Sequence, residues 1–167
     1  MSFPSRLFLI GLPGSGKTTM GKELAKELAY TFIDLDDRIV SSAGKSIAEI
    51  FTQDGEERFR EIERDELRKI GGERCVIATG GGAPCFHENM DWMQANGFTV
   101  YLNPMLEIIA ERVAGDTNRP LISGDPLETL QNLLEKRKAF YQQAGMESDH
   151  VEPCELLVEL RNFFTSS

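Results

Sequence analysis

Four short apolar runs along the chain predict β-strands. Arg6–Ile10 and Cys75–Thr79 are almost continuously apolar, which is typical of strands that are buried on both faces of a sheet. Thr31–Leu35 and Phe98–Leu102 share that length and much of that character. A weaker signal at His150–Val151 predicts a fifth, short strand. The pattern therefore indicates a sheet of five strands.

Helical periodicity and capping signals occupy the segments between these runs. Met20, Leu24 and Leu28 recur at every fourth position and would lie on one face of a helix. Elsewhere, Ser or Asp followed three residues later by Glu matches the capping box, and Pro suits the first position of a helix. The helices predicted in this way begin after Gly16, at Ser46, at Asp54, near Asn89, after Asn103–Pro104, at Asp125 and near Cys154.

The order of these elements predicts the fold class. Strands that alternate with helices favour an α/β fold with a parallel sheet and helices on both faces. No repeat, low-complexity tract or linker divides the 167 residues, and one domain typically holds roughly 100–200 residues. Ligands of such sheets bind at the carboxyl ends of the strands. Any chemistry is therefore expected just after Ile10, Leu35, Thr79 and Leu102.

Charge and cysteine content exclude several classes of function. The chain has 18 basic and 27 acidic residues, a net charge of −9, which argues against nucleic acid because its phosphates are bound by clustered Lys and Arg. The three cysteines form no C-x-x-C pair and indicate neither a zinc site nor a disulfide framework. No stretch approaches the roughly 20 apolar residues of a membrane span, and the first apolar run is too short for a signal segment. We therefore expect a cytoplasmic protein with no nucleic-acid or membrane partner.

A glycine-rich loop follows the first predicted strand. Gly11–Thr18, with the sequence GLPGSGKT, matches the phosphate-binding pattern GxxxxGK[ST] in full, between a predicted strand and a predicted helix. The glycines let successive backbone N–H groups turn toward phosphate oxygens, and the helix N-terminus adds positive charge. Lys17 would reach the β- and γ-phosphates, and the Thr18 hydroxyl would ligate Mg²⁺. ATP or GTP binding is therefore expected, through Gly14, Ser15, Gly16, Lys17, Thr18 and Thr19.

The carboxylates after the second predicted strand bear on the use of the nucleotide. The N-K-x-D string of GTPases is absent, and the third predicted strand lacks the terminal Asp of an ordinary Walker B motif. Asp34 and Asp36 follow the second strand instead, and alternation would put both on one side if the strand continued. One would hold the Mg²⁺ water shell, and the other would orient or deprotonate an acceptor hydroxyl. The alternative is that Asp36 only caps a helix that starts near Asp37.

Six motifs occur in a fixed order from about residue 6 to residue 145. They are the P-loop, Asp34–Asp36, the FREIE string at 59–63, the glycines at 80–82, the NRPL string at 118–121, and Lys136–Arg137 with Tyr141. Together they resemble the shikimate kinase family. The resemblance implies a three-layer α/β/α P-loop kinase fold with a central parallel five-stranded sheet, in a single domain over residues 1–167. It also implies transfer of the ATP γ-phosphoryl group to the 3-hydroxyl of shikimate, in aromatic amino-acid biosynthesis.

The resemblance assigns roles on the nucleotide side. It implies that Asp34 lies near Mg²⁺, and that Asp36 binds the shikimate hydroxyls and assists deprotonation of the one that attacks. Lys17 and Arg119 would stabilise charge on the transferring group. Arg119 would close over the ATP phosphates from a mobile lid near 113–125, and Arg112 would stack on adenine.

The resemblance also assigns the groups that bind the acceptor. Arg60 and Arg137 would grip the shikimate carboxylate, a task suited to planar guanidinium groups. Glu63, one turn after Arg60, would hold that side chain or a ring hydroxyl. The backbone of Gly80–Gly82 would approach the substrate ring, where any Cβ would intrude. An acceptor-binding helical segment is expected near 36–70.

Taken singly, these residues permit simpler interpretations. Arg60 with Glu63 is also an ordinary ion pair at helical spacing, and Arg137 belongs to a basic run that fits a solvated face. The three glycines also fit a plain strand-to-helix turn. The ordered set, rather than any one motif, carries the resemblance.

Two other functions stay open on the sequence alone. Another small-molecule P-loop kinase, such as gluconate kinase, shares the size and the P-loop, although the arginines and the triple glycine fit shikimate better. A nucleotide-binding switch without an acceptor is the alternative from a different class.

The stretch around Pro153 is shorter than the family pattern, so the resemblance gives no adenine-site residue other than Arg112. Shikimate, ATP and Mg²⁺ are the ligands implied, and a monomer is expected.

Overall fold

The structure is a computed structural model that describes residues 3–115 and 124–166. Within these residues, five strands and eight α-helices are formed. The strands are β1 (Arg6–Ile10), β2 (Thr31–Asp34), β3 (Cys75–Ala78), β4 (Phe98–Leu102) and β5 (Met146–Ser148). The helices are α1 (Lys17–Leu28), α2 (Leu35–Ala43), α3 (Ile47–Gln53), α4 (Gly55–Arg68), α5 (Asn89–Asn96), α6 (Leu106–Ala114), α7 (Pro126–Tyr141) and α8 (Pro153–Thr165). None of the helices in these ranges is long and apolar enough to cross a membrane.

One parallel sheet divides the interior into two apolar cores. Its strand order is β2-β3-β1-β4-β5, and all four strand pairs are parallel. Successive side chains of a strand point to opposite faces, so Leu7 and Leu9 of β1 enter one core while Phe8 and Ile10 enter the other. Helices α1 and α8 cover the first core, and α2 to α7 contribute to the second. The three-layer α/β/α fold with a parallel five-stranded sheet is therefore confirmed.

The carboxyl ends of β1 and β3 lie side by side at the centre of the sheet. Thr79, just after β3, donates from its backbone N–H and from its hydroxyl to the carbonyl of Leu9 in β1, at 3.2 and 3.0 Å. The loop after Ile10 and the glycines after Thr79 consequently start next to each other. In the order β2-β3-β1-β4-β5, the chain passes from β1 toward one edge of the sheet and from β3 toward the other edge. Ligands of open α/β sheets bind where successive connections run in opposite directions in this way.

Helices α2 to α4 occupy the stretch that was expected to be helical near 36–70, and their starts differ in chemistry. Ser46 forms the predicted capping box: its hydroxyl accepts from the N–H of Glu49, and Glu49 accepts from the N–H of Ser46. Helix α4 begins after Asp54, as predicted, but the predicted capping box is wrong there. The Asp54 carboxylate forms an ion pair with Lys45 at 2.9 Å instead of capping the helix.

Two predicted boundaries near the last strands are also wrong. The fifth strand is Met146–Ser148 rather than His150–Val151, and it pairs with β4. Helix α6 starts at Leu106 rather than directly after Asn103–Pro104. The reason is that the N–H of Asn103 donates to the carbonyl of Ser148 at 2.8 Å, which extends the pairing between the two strands and delays the helix.

Replacing Ser46 with alanine is expected to lower the free energy of unfolding by about 1 kcal/mol, because the start of α3 loses its hydroxyl cap. Urea denaturation followed by circular dichroism measures the change. Ser41, exposed on α2, provides the control, since Ser41→Ala should stay within about 0.5 kcal/mol of the parent. Equal losses in the two variants would contradict the capping role of Ser46.

Candidate active site

The phosphate-binding loop leads from β1 into α1. A Cβ atom at Gly11 would lie 2.5 Å from the carbonyl oxygen of Leu102, so the loop can pass this close to β4 only without a side chain. Gly16 is the N-cap of α1 with a φ of 98°, a left-handed conformation that glycine adopts without strain. Gly16 has no side chain to cap the helix, and a bound phosphate is suited to the first N–H groups of such a helix.

Lys17 holds this loop together from within. Its Nζ donates to the carbonyl oxygens of Gly11 and Leu12, both at 2.8 Å. The backbone N–H of Ser15 donates to the same Leu12 carbonyl at 3.1 Å. The Lys17 side chain is only 9% exposed, and its ammonium group brings a full positive charge into the loop that the sequence predicts to surround phosphates.

A hydroxyl and a carboxylate meet beside the start of α1. The Thr18 hydroxyl donates to Oδ2 of Asp34 at 2.9 Å. The other oxygen of Asp34 accepts from the backbone N–H of Asp36 at 3.0 Å, which makes Asp34 the N-cap of α2. Two oxygen groups of the kind that Mg²⁺ prefers therefore lie within 3 Å of each other.

The arrangement of the two aspartates differs from the prediction. Strand β2 ends at Asp34 and α2 begins at Leu35, so Asp36 lies in the first turn of a helix and not on a continuing strand. The expectation that strand alternation would align the two carboxylates is wrong. The alternative, in which Asp36 caps a helix starting near Asp37, is also wrong, because Asp34 provides the cap.

The three glycines that follow β3 lie against charged side chains from three helices, and Gly80 and Gly82 meet those of α2 and α4. A Cβ atom at Gly80 would lie 3.0 Å from Oε2 of Glu63 and 3.2 Å from Oδ1 of Asp36. A Cβ atom at Gly82 would lie only 2.5 Å from Nη2 of Arg60, so any larger residue there would displace the guanidinium group. The missing side chains let α2 and α4 bring their charges onto one patch of backbone.

Gly81, the middle glycine, contacts both the phosphate-binding loop and α7. A Cβ atom here would lie 2.8 Å from Cδ of Pro13 and 3.0 Å from Nη1 of Arg137. The Tyr141 hydroxyl donates to the Gly81 carbonyl at 2.5 Å, and a hydrogen bond joins Arg137 to Tyr141. We call Asp36, Arg60, Glu63 and Arg137, with the three glycines, the charged patch. Because Pro13 belongs to the phosphate-binding loop, that loop contacts the charged patch at Gly81.

Arg60 is a buried cation, and only some of its N–H donors form hydrogen bonds with the described part of the protein. Its Nη1 donates to Glu63 at 2.9 Å, and its Nε and Nη2 donate to one oxygen of Glu56 at 3.3 and 3.2 Å. The guanidinium carbon lies 4.2 Å from the ring centroid of Phe86 and 5.0 Å from that of Phe59. A guanidinium group has five N–H donors. Within the described part of the chain, two of them remain for a ligand, one on each terminal nitrogen.

Glu63 is completely buried, and one of its two carboxyl oxygens has no hydrogen-bond partner among the described residues. Burial raises the pKa of its carboxyl from 4.5 to about 7, with a further rise from Asp36, while Arg60 and Arg137 oppose the shift. Its Oε1 accepts from Arg60, and its Oε2 is buried without a hydrogen-bond partner among the residues described. An unsatisfied buried polar atom costs about 1–3 kcal/mol. Oε2 therefore offers a position where a ligand hydroxyl would bind favourably.

Arg112 lies in the last turn of α6 and contacts the phosphate-binding loop. Its Nη1 donates to the carbonyl of Gly14 at 3.3 Å, and a Cβ atom at Gly16 would lie 3.3 Å from the same nitrogen. Thr19 is exposed in the first turn of α1. These contacts bring Arg112 to the loop that is expected to bind the nucleotide.

Part of the expected lid falls outside the residues that the structure describes. Helix α6 ends at Ala114, and residues 116–123, which include Arg119, are outside the described ranges. The description resumes at Gly124. Asp125 then caps α7 as predicted, accepting from the N–H of Leu127 at 3.1 Å.

The structure brings the predicted acceptor residues to one patch and adds others that were missed. The residues brought together are Asp36, Arg60, Glu63, Gly80, Gly81, Gly82 and Arg137. Glu56 and Phe86 were missed, although both contact the guanidinium group of Arg60. Glu56 lies four residues before Arg60, a helical spacing that the sequence displays. Phe86 has no comparable signal, because only the tertiary fold brings it to Arg60.

Comparison with protein families and curated proteins identifies relatives of the chain. A family model described as shikimate kinase matches residues 13–155. A shikimate kinase from Parabacteroides distasonis is 46% identical over 150 residues, which cover 86% of this chain and 87% of that protein. One from Synechococcus elongatus is 45% identical over 142 residues, covering 84% of this chain and 74% of that protein.

Solved structures show the same relationship. A shikimate kinase from Bacteroides thetaiotaomicron superposes with a TM-score of 0.90 at 37% identity, over 97% of this chain and 99% of that one. The shikimate kinase from Acinetobacter baumannii in complex with shikimate has a TM-score of 0.91 at 32% identity, over 99% and 94% of the two chains. A gluconokinase from Sinorhizobium meliloti, at 19% identity and a TM-score of 0.61, shares the fold.

Glu63→Gln is expected to flatten the pH dependence of stability. A carboxyl group whose pKa rises from 4.5 to about 7 on folding contributes stability below pH 4.5 that is lost as the pH rises to about 7. At 1.36 kcal/mol for each pKa unit, the parent should lose about 3 kcal/mol relative to the variant between about pH 4 and pH 8. Urea unfolding of both proteins at several pH values measures this difference.

The control for this experiment is Glu57→Gln, because Glu57 is an exposed carboxylate on the same helix. Its stability should follow the parent at every pH. Parallel stability curves for Glu63→Gln and the parent would mean that burial does not shift the pKa of Glu63.

Proposed function

The chain belongs to the shikimate kinase family, and on that premise we propose which of its residues carry the transfer of the ATP γ-phosphoryl group to the 3-hydroxyl of shikimate. The products of this reaction are shikimate 3-phosphate and ADP, and the reaction belongs to the biosynthesis of aromatic amino acids. The observation that carries the residue assignment is the contact at Gly81. There, Pro13 of the phosphate-binding loop and Arg137 of the charged patch both meet one glycine, so donor and acceptor groups would bind side by side.

Arg60 and Arg137 bind the shikimate carboxylate in this proposal. Both side chains are buried, and each places a terminal nitrogen within 3.0 Å of the position that a Cβ atom would take on one of the glycines. The two N–H donors that Arg60 keeps are suited to a carboxylate, because planar guanidinium and carboxylate groups pair through parallel hydrogen bonds. When Glu63 is ionised, its negative charge offsets part of the positive charge of Arg60 and Arg137, and when it is protonated it does not.

Asp36 and Glu63 bind the ring hydroxyls. Their carboxyl oxygens flank Gly80, within 3.2 Å of the position that a Cβ atom would take. Asp36 accepts the proton of the 3-hydroxyl as that oxygen attacks the γ-phosphorus, since phosphoryl transfer needs an oriented nucleophile. The orphan oxygen of Glu63 binds another ring hydroxyl and so fixes the rotation of the ring in the site.

The ATP phosphates bind along the loop and the start of α1. Lys17 stabilises the charge that develops on the transferring group, as a fixed donor does most effectively when it is already in place. Arg112 stacks on the adenine base, and Arg119 closes over the phosphates. The assignment of Arg119 rests on its sequence motif alone. The residues proposed to bind ATP are Gly14, Ser15, Gly16, Lys17, Thr18, Thr19, Arg112 and Arg119.

In this proposal, Thr18 and Asp34 would hold Mg²⁺. Within the described ranges, no cluster of three or more His, Cys, Asp or Glu side chains is arranged to bind a metal. A hydroxyl and a single carboxylate nevertheless fit Mg²⁺, which keeps several waters and binds through one or two carboxylates together with substrate phosphates. When bound, Mg²⁺ neutralises charge on the β- and γ-phosphates. Thr18 and Asp34 would hold the ion through the two oxygens that their hydrogen bond brings within 2.9 Å of each other.

The proposal extends to a monomer that works in the cytoplasm. The acceptor groups that the structure describes, Asp36, Arg60, Glu63 and Arg137, come from one chain and meet without a second copy. All three cysteines are free thiols, which fits a reducing compartment.

The acceptor assignment is tested by ADP release from ATP with shikimate, with gluconate and without an acceptor. Release should depend on shikimate. Arg60→Ala and Arg137→Ala should each raise the KM for shikimate roughly ten- to a hundredfold, because each removes charge-assisted hydrogen bonds, while the KM for ATP stays within about twofold. Lys136→Ala, at an exposed neighbour of Arg137, should change neither constant. A flat KM for shikimate in both arginine variants would refute the carboxylate grip.

Asp34 and Asp36 are expected to respond differently to the same amide substitution. Asp36→Asn should lower kcat by about 10²–10⁴, the usual worth of a general base, with an unchanged Mg²⁺ requirement. Asp34→Asn should raise the Mg²⁺ concentration needed for half-maximal rate. Asn still caps a helix well, so α2 is retained. Steady-state rates across a Mg²⁺ titration measure both effects.

Asp37→Asn is the control for this pair, since Asp37 is exposed in the same turn of α2. It should behave like the parent. The division of roles between the two aspartates would be wrong if Asp34→Asn and Asp36→Asn showed the same Mg²⁺ dependence.

A further inference from the structure

Phe86 is an exposed aromatic residue at the edge of the acceptor site. It follows a turn of 3₁₀-helix at Ala83–Cys85, which itself follows the three glycines. It is 36% exposed. The guanidinium carbon of Arg60 lies 4.2 Å from its ring centroid, well within the distance of a cation–π contact.

The turn after Phe86 is held in a strained conformation. His87 and Glu88 have φ values of 51° and 56°, and two successive non-glycine residues in the left-handed region are unfavourable unless their surroundings hold them there. Arg68 provides one restraint, since its Nη2 donates to the carbonyl of His87 at 2.7 Å. Asn89 provides another, because its backbone N–H donates to the carbonyl of Phe86 at 3.0 Å.

Helix α4 therefore holds this turn at two points. Arg68 binds its backbone, and Arg60, two turns earlier on the same helix, contacts the Phe86 ring. Strained residues persist only where the surrounding structure holds them, and they cluster at active sites and ligand-binding positions. The side chain kept in place here is an exposed ring, and its described cationic contact is Arg60.

We propose that Phe86 is a positioning residue for shikimate binding, which holds the guanidinium plane of Arg60 toward the substrate carboxylate. The inference rests on the proposed role of Arg60 in gripping that carboxylate. Glu56 and Glu63 restrain the guanidinium group at its edges through hydrogen bonds. Phe86 restrains it at a face, where no hydrogen bond can act, and keeps water from that face.

Substitutions at Phe86 test the proposal through steady-state kinetics. Phe86→Ala should raise the KM for shikimate about 3- to 30-fold, the range that a partly buried cation–π contact is worth. The kcat and the KM for ATP should stay within about twofold. Phe86→Tyr should restore the parent KM, and Phe86→Leu should not, because leucine keeps apolar volume but lacks a π face. A leucine variant as good as the tyrosine variant would overturn the proposal.

Phe163→Ala is the matched control. Phe163 is 39% exposed on α8, where it packs on Phe98 and Phe164, so the substitution removes an aromatic ring of similar exposure. It should leave both KM values unchanged. An equal rise in the KM for shikimate in this variant would show a general loss of packing and would overturn the specific role of Phe86.

A double substitution separates this inference from the function on which it rests. In an Arg60→Ala background, Phe86→Ala should have no further effect on the KM for shikimate. A full additional effect would mean that Phe86 does not act through Arg60. If Arg60→Ala raises the KM and Phe86→Ala alone does not, the positioning role is refuted while the carboxylate grip stands. If Arg60→Ala leaves the KM unchanged, the grip itself is wrong and the inference falls with it.

Discussion

The close approach of charged side chains to the backbone of Gly80–Gly82 is the contact on which the geometry of the proposed acceptor site depends. Each glycine meets a different group, and a Cβ atom at Gly82 would lie 2.5 Å from Arg60. Charges from α2, α4 and α7 converge in the space that three side chains would otherwise fill, and this is where the proposed function places the substrate. The same absence of side chains lets the phosphate-binding loop contact the patch at Gly81, so the proposed donor and acceptor sites lie side by side.

Burial of the charges in this patch lowers the stability of the free protein, although the same charges are proposed to bind the substrate. Arg60 and Glu63 are 5% and 0% exposed, and taking such groups out of water costs more than a single ion pair returns unless further hydrogen bonds satisfy them. Glu56 supplies bonds to Arg60, but one oxygen of Glu63 has no partner in the described chain. The raised pKa of Glu63 expresses the same conflict. A substrate that brings a carboxylate and hydroxyls would relieve it, so the unfavourable free state favours binding.

The sheet topology explains why the two halves of the site meet at all. Because β1 pairs with β3 on one side and β4 on the other, the loop after β1 and the glycines after β3 leave the sheet next to each other. The hydrogen bonds from Thr79 to Leu9 keep these two ends in register. Asp34 ends β2 at the neighbouring position, paired with Ala78, and its two oxygens join the start of α1 to the start of α2. Three strand ends thus position the groups that are proposed to bind phosphate, metal and acceptor.

Features that depend on near neighbours in the chain can be predicted from local sequence patterns: the phosphate-binding loop, four of the strands, the Ser46 capping box and the alternation that predicts a parallel sheet. Features that depend on distant partners needed the tertiary structure. Strand β5 has only three residues and forms because it pairs with β4. Its own residues give no strand signal, so the sequence predicts the strand at His150–Val151 instead. Asn103 bonds to Ser148 and delays α6, and Asp34 rather than Asp36 caps α2. Phe86 reaches Arg60 only through the fold, because a contact between separate elements leaves no periodic trace in the sequence.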